Sequence, residues 1–228
     1  MKSNRWRIIF DYDDTLIRHD TGKEFKYMAE YLGLECNAEL KKQFDNFYSN
    51  MYAMSLNKKI TMKKYEEYLH TAVPLLGQNG IDTKMFFEAE RYKTTKVKLV
   101  TEGAYELLEY LISQEYYLCI LTNWFYDEQV NSIRAQGLEK YFERIYTWDN
   151  FYAKPDERAF IRALGGTKPE ENIMVGNNVL HDIVPAKKLG IYTFGVHLKG
   201  NIKASDLPDV EITQLIDLKK YCYYSQLI

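Results

Sequence analysis

The apolar run Ile8-Ile9-Phe10 passes directly into Asp11-Tyr12-Asp13-Asp14-Thr15-Leu16. A short continuous apolar stretch bounded by polar residues reads as a buried strand. Three carboxylates at its end are poor core material. Like charges this close repel, and burying them costs several kcal/mol per ion unless something compensates. A divalent cation is the natural compensation, and hard carboxylate oxygens suit Mg²⁺. The competing reading is an acidic turn that caps a helix, since Asp and Thr both make good N-caps. The first reading needs partners elsewhere in the chain, and the second needs none.

The remaining sequence constrains where partners can lie. From about Asp20 to Lys98 the chain has helix-period segments only: Lys23–Leu32, Ala38–Met54, Met62–Val73 and Thr83–Tyr92. Turn signals separate them at Gly33, Asn57, Gly77-Gln78-Asn79-Gly80 and Asp82. The aromatics Phe25, Tyr27, Tyr31, Phe44, Phe47, Tyr48, Phe86, Phe87 and Tyr92 recur at helical spacing, which predicts a bundle core. This reads as an all-helical unit inserted into another domain.

After Lys98 the pattern alternates. Arg5–Phe10 forms strand one. Later strands are predicted at Tyr117–Leu121, Arg144–Thr147, Ile173–Val175, Tyr192–Val196 and Val210–Ile212. Helices are predicted at Gly103–Ser113, Tyr126–Ala135, Asp156–Leu164, His181–Leu189 and Leu215–Tyr221. Such βα alternation implies a Rossmann-like parallel sheet with helices on both faces. The fold class is therefore α/β with a helical domain inserted after strand one. Residues 1–18 and 99–228 make the core domain, and residues 19–98 the insertion.

Composition narrows the partners. The formal net charge is −2 over 228 residues, so no charge excess points to nucleic acid or a membrane surface. No apolar run approaches the ~18 residues of a transmembrane helix. The basic start, Met1 to Arg7, is followed by too few apolar residues for a signal peptide. Cys36, Cys119 and Cys222 have neither zinc spacing nor a disulfide pattern. A cytoplasmic protein, monomeric or homodimeric, is expected.

Ligands of parallel sheets bind at the carboxyl ends of the strands. That rule gathers four loops. The first carries the aspartates. The second carries Thr122-Asn123, a hydroxyl and an amide ahead of a helix, where an anionic oxygen or an ordinary helix cap would fit equally. The third carries Lys154-Pro155-Asp156, where Pro155 and Asp156 suit a helix start and Lys154 can balance the aspartates. The fourth is Gly176-Asn177-Asn178-Val179-Leu180-His181-Asp182, with oxygens at Asn177 and Asp182. Taken singly, the lysine is a solvated loop residue and the fourth loop an Asn-rich turn. Together they supply what phosphoryl transfer needs: a nucleophile, an acid, a metal and a cation.

In this order the four segments resemble the motifs of the haloacid dehalogenase superfamily, and specifically its Mg²⁺-dependent phosphatases. The resemblance implies that Asp11 is a nucleophile forming an aspartyl-phosphate. Asp13 would be the general acid and then the base that activates water. Thr122, with Asn123, would bind the phosphoryl group, and Lys154 would stabilise its charge and that of Asp11. Mg²⁺ would be held by Asp11, Asp13, Asn177 and Asp182. Asp13 favours phosphate ester hydrolysis over dehalogenation, because a halide leaves unprotonated. The helical insertion would be a cap that selects a small phosphorylated metabolite: a sugar phosphate, phosphoglycolate or a nucleotide.

One position departs from the pattern. The fourth motif ordinarily begins Gly-Asp, and here it is Gly176-Asn177. Asn offers a neutral oxygen to the metal. A phosphotransferase or mutase, and a catalytically weak ligand-binding protein, are the alternatives. Arg18, His19, Lys23 and Lys26 read either as contacts for a second anionic group or as surface charge. Trp124 reads either as a ring stacking on a base or sugar or as a structural aromatic.

Overall fold

The computed structural model describes residues 6–55, 62–78, 80–97, 99–149, 152–199 and 202–222. Arg5, Lys98 and the turn signals at Asn57 and Asn79 lie outside them. Contacts divide the chain into two units. One comprises Met1–Arg18, Val100–Tyr126 and Gly137–Ile228, and the other His19–Leu99 and Asp127–Gln136.

The first unit is built on six strands: β1 (Arg7–Phe10), β2 (Tyr117–Leu121), β3 (Arg144–Tyr146), β4 (Asn172–Asn178), β5 (Tyr192–Lys199) and β6 (Val210–Ile212). All pair in parallel, in the order β3-β2-β1-β4-β5-β6. The α/β Rossmann-like expectation is met. Alternate strand residues face opposite sides. Ile9, Cys119, Leu121, Tyr146 and Met174 pack with Ala159, Phe160 and Ala163 of a helix over Glu157–Ala163 and with Ala186 of another over Val184–Lys188. Phe194, in register with Val175 and so on its face of the sheet, packs its ring 5.2 Å from Tyr221 of a C-terminal helix, Lys219–Cys222. That helix also contacts the helix Ala104–Ser113. The sheet is thus covered on both faces, as all-parallel sheets require.

The order reverses between β1 and β4. Connections after β1 run outward through β2 and β3, then return to β4 on the other side. At such a switch point the following loops splay apart and leave a crevice at the carboxyl edge.

Several boundaries differ from expectation, among them two beside the crevice with identifiable reasons. β4 does not stop at Val175 but continues to Asn178, because Asn178 pairs with Lys199 across an irregularity in the β4–β5 register. The helix expected over His181–Leu189 is instead one wide π-type turn, Val179–Ile183, followed by the α-helix Val184–Lys188. The Asn178 side chain accepts from Leu180 N and His181 N at 3.1 and 3.0 Å and so starts the turn early.

The second unit holds the helices Thr21–Tyr31, Ala38–Ser55, Met62–Ala72 and Thr83–Lys96, together with most of the helix Tyr126–Ala135. Thr83–Lys96 outruns its expected end at Tyr92. The hydroxyls of Thr94 and Thr95 donate back to the Arg91 and Tyr92 carbonyls at 2.8 and 2.7 Å, so these residues are accommodated in the last turn. Phe25, Phe44, Phe47 and Phe86 form the buried aromatic centre. Beside it lies a charged cluster that the sequence pattern did not reveal. Lys93 Nζ is 3.0 Å from Glu90 and 3.4 Å from Glu24, Tyr48 donates to Glu90, and His19 is 3.0 Å from Glu24. Lys23 pairs with Asp20 in solvent at 2.9 Å.

Residues Asp127–Gln136, which lie within the expected core span 99–228, group with the helical unit. Gln136 explains the grouping. Its fully buried carboxamide donates to the Thr94 and Val97 carbonyls at 3.1 and 2.9 Å and accepts from Leu99 N at 3.0 Å. The change Gln136→Leu keeps the volume and orphans three backbone groups. It should cost about 3 kcal/mol, measured as a lowered urea midpoint. An unchanged midpoint would contradict this role.

Candidate active site

The β1 ladder extends one residue past its strand, since Asp11 N donates to Val175 O of β4 at 2.9 Å. The β2 ladder does the same, with Thr122 N donating to Tyr146 O of β3 at 2.9 Å. Asp11 and Thr122 are therefore held by sheet hydrogen bonds rather than by mobile loops. Beyond Asp11 the chain turns tightly. Tyr12 O accepts from Thr15, Leu16 and Ile17, and Asp14 adopts a left-handed φ of 59°. Asp tolerates that conformation better than most residues. The turn brings the Thr15 hydroxyl back to Asp11 Oδ2 at 3.0 Å.

Lys154 is 3 % exposed, and its Nζ lies 2.6 Å from Asp11 Oδ1 and 2.6 Å from Asp182 Oδ1. Its backbone is clamped by one side chain. Asn123 Nδ2 donates to Lys154 O at 2.8 Å, and Lys154 N donates to Asn123 Oδ1 at 2.8 Å. Asn123, assigned by the resemblance to phosphate binding, thus acts here as a positioning residue for Lys154. Asp156 caps the following helix through Arg158 N, one position earlier than the predicted first-turn placement.

Asp182 is fully buried and has both oxygens engaged. Oδ1 meets Lys154, and Oδ2 accepts from Asn178 N at 2.9 Å. Gly176 makes this approach possible. A Cβ at position 176 would stand 2.5 Å from Asp182 Oδ2 and 2.6 Å from its Cβ. Asn177 is buried, and its amide has no hydrogen-bond partner among the described residues. Asp13 is half-buried, its Oδ2 in long contact with the Thr122 hydroxyl at 3.4 Å.

Two carboxylates, Asp11 and Asp182, thus share one ammonium, and Asp13 lies against Thr122. Burial raises the Asp11 carboxyl to about 7, with Asp182 and Asp13 adding to the rise and Lys154 opposing it. Burial alone would lower the Lys154 pKa, but Asp11 and Asp182 outweigh it and the net shift is upward. His181, beside them, is pushed down to about 4 by its own burial. Among the described residues no three acidic, His or Cys side chains converge as a metal cluster, and Lys154 stands between Asp11 and Asp182. The donors nevertheless fit a hard divalent cation. They are all oxygens, they carry excess negative charge, and the Asn177 amide is unengaged.

The sequence leaves Thr15 and Asp149 without a task at the site and places Asn178 only in an Asn-rich turn. Thr15 holds Asp11, and Asn178 starts the fourth-loop turn. Asp149 accepts from Tyr126 N at 2.8 and 3.0 Å and from the Thr147 hydroxyl at 2.8 Å. Only Asn178, an Asx residue followed by a turn, carried a readable local signal.

The model of the haloacid dehalogenase-like hydrolases matches residues 8–196, a span that includes every one of these site residues. The chain belongs to this family. It is 25% identical over 223 residues to the pyrimidine 5'-nucleotidase PynA of Streptococcus pneumoniae, covering 92% of each chain. Its fold matches the putative HAD-hydrolase YfnB from Bacillus subtilis, crystallised bound to magnesium, with a TM-score of 0.76 and 20% identity, covering 96% of this chain and 100% of that one. It also matches L-2-haloacid dehalogenase from Xanthobacter autotrophicus, with a TM-score of 0.69 and 18% identity over 97% and 99% of the two chains. The protein is a haloacid dehalogenase-like hydrolase, and its fold alone is shared by relatives of different chemistry.

The close contact at Gly176 gives a test of the geometry. Gly176→Ala should displace the Asp182 side chain and destabilise the protein by about 1–3 kcal/mol, measured by urea denaturation. Full retention of stability would show that the approach is not needed.

Proposed function

We propose that the protein is a Mg²⁺-dependent phosphomonoester hydrolase acting on a small phosphorylated metabolite through an aspartyl-phosphate on Asp11. The observation that carries this reading is the separate environment of Asp13. Asp11 is buried and tied to Lys154 and Thr15, which suits a fixed nucleophile. Asp13 is half-buried, apart from the lysine, and touches the Thr122 hydroxyl at 3.4 Å. Two carboxyls two residues apart in unlike surroundings are suited to different tasks. A departing alkoxide needs a proton, whereas a halide does not, so an acid at this place favours a phosphate ester over a haloacid.

The steps then follow from the residues. Asp11 attacks phosphorus, and the bond to the leaving oxygen breaks as Asp13 delivers its proton to that oxygen. Asp13, now a carboxylate, takes a proton from water as that water attacks the aspartyl-phosphate. Phosphate leaves and Asp11 is regenerated. The Thr122 hydroxyl and Lys154 ammonium donate to the phosphoryl oxygens, and Asn123 keeps Lys154 in place. Mg²⁺, when held by Asp11, the Asp13 backbone carbonyl, Asn177 and Asp182, supplies charge neutralisation at the phosphoryl group. The magnesium bound by the Bacillus subtilis neighbour and the phosphate-ester substrate in the Streptococcus pneumoniae relative's name support this reading. The helical unit, inserted in the chain between β1 and the helix Ala104–Ser113, is read as the substrate-selecting cap. No helix among the described residues is long and apolar enough to cross a membrane, in keeping with a cytoplasmic enzyme.

Hydrolysis of p-nitrophenyl phosphate should require Mg²⁺, stop with EDTA and be lost in Asp11→Asn. Activity that survives both would sink the assignment. In kcat/KM, which reports the step up to loss of the leaving group, Asp13→Asn should slow an alkyl phosphate by about 10²–10⁴ and p-nitrophenyl phosphate much less, since nitrophenolate leaves without a proton, whereas the shared hydrolysis of the aspartyl-phosphate slows alike for both. Equal losses would remove the acid role.

Asn177 makes its own prediction. The change Asn177→Asp adds a charged oxygen where the chain has a neutral one. It should tighten Mg²⁺ binding about tenfold in a calorimetric titration. Unchanged affinity would place position 177 outside the metal shell.

A further inference from the structure

Three aromatic rings lie on the same two loops that carry the phosphate-handling groups. Trp124 and Phe125 follow Thr122 and Asn123 after β2. Trp148 follows β3 on the loop that leads to Lys154. Trp148 is buried, whereas Trp124 and Phe125 each keep part of their surface open. The ring centroids of Trp124 and Trp148 are 5.7 Å apart at a tilt of 36°, and Phe125 meets both in edge contacts at 5.4 Å. Trp148 thus acts as a wedge beneath the two outer rings.

The loop that bears those rings is fixed at both ends. Asn123 is bonded twice to the Lys154 backbone, and Tyr126 N is bonded to Asp149. Asp149 is itself held by the Thr147 hydroxyl next to Trp148. A rigid loop with a partly exposed ring two residues from the Thr122 hydroxyl is suited to bind a planar group beside a phosphate. From Thr122 to Glu128 the stretch carries no Lys or Arg of its own, and Glu128 is already paired with Arg91 at 2.6 Å. A diphosphate or a carboxylate on the leaving group would find no counter-charge in that stretch.

We propose that Trp124, braced by Phe125 and Trp148, is a specificity residue that stacks on an uncharged planar aromatic ring in the leaving group, so that 5'-nucleotides are preferred over sugar phosphates and phospho-acids. This rests on the phosphomonoesterase reading and names the substrate class of that site. The ring is remote from the breaking bond, so its effect falls on KM rather than kcat.

Uridine 5'-monophosphate and ribose 5-phosphate share the ribosyl 5-phosphate and differ at C1, where a base stands in place of the anomeric hydroxyl, so they make a pair of probes for the ring. The wild-type protein should show kcat/KM for the nucleotide about tenfold or more above that for ribose 5-phosphate. Trp124→Ala should bring the ratio close to one through KM, and Trp124→Phe should keep most of it. A wild-type ratio near one, a ratio unchanged in Trp124→Ala, or equal losses on both substrates would overturn the proposal. Calorimetric binding of both compounds to Asp11→Asn separates this inference from the reading beneath it. An affinity advantage for the nucleotide that disappears with the added Trp124→Ala change upholds the stacking role even if wild-type protein turns over neither compound. Equal affinities overturn it even if both compounds are hydrolysed.

Discussion

Lys154 reaches two carboxylates at 2.6 Å from the interior of the sheet unit, and the rest of the site is arranged around that contact. A buried ammonium with one carboxylate would be a neutral pair. Here Asp11 and Asp182 share it and Asp13 stands close by, so negative charge is left over. Such an arrangement is costly to bury unless other groups contribute. Several do: the Thr15 hydroxyl on Asp11, the Asn178 amide on Asp182, and the sheet hydrogen bond that fixes Asp11 at the end of β1. The residual charge and the all-oxygen donor set suit a hard divalent cation. Burial, with Asp182 and Asp13 adding to it, raises the Asp11 carboxyl to about 7.

The fold supplies the convergence. Parallel strands in the order β3-β2-β1-β4-β5-β6 put the ends of β1 and β4 side by side at the switch point. Asp11 and Asp182 come from the loops after those two strands, and Thr122 and Lys154 from the loops after β2 and β3. Loop chemistry then refines the placement. The Asn123 clamp on the Lys154 backbone sets the depth of the lysine, and Gly176 leaves room for Asp182. The same two loops carry the Trp124, Phe125 and Trp148 rings, which pack on one another.

Asp11 and Asp13 were legible from the sequence because an apolar strand running into paired carboxylates is a local contradiction. Thr122, Lys154 and Asp182 were weak signals individually and became readable only as a set in order. Asn123 was identified as a site residue, but its clamp on the Lys154 backbone was not legible, since that partner is distant in the chain. In the helical unit, Glu24, Glu90 and Lys93 sit at positions that a charged residue normally occupies on a solvated face. Their burial follows from how separate helices meet.

The sequence by itself determined the alternation of strands and helices, the inserted helical stretch and the loops that hold the chemistry. These depend on residue periodicity and on local charge, which act over a few positions. Only the tertiary structure decided the strand order, the extension of β4 to Asn178 with its π-type turn, the grouping of Asp127–Gln136 with the helices and the shared hold of Lys154 on Asp11 and Asp182. Each of these depends on partners far apart in the chain: β5 for the end of β4, Thr94, Val97 and Leu99 for Gln136, and Asn123 for Lys154. Spacing along a sequence carries no information about which distant groups will meet.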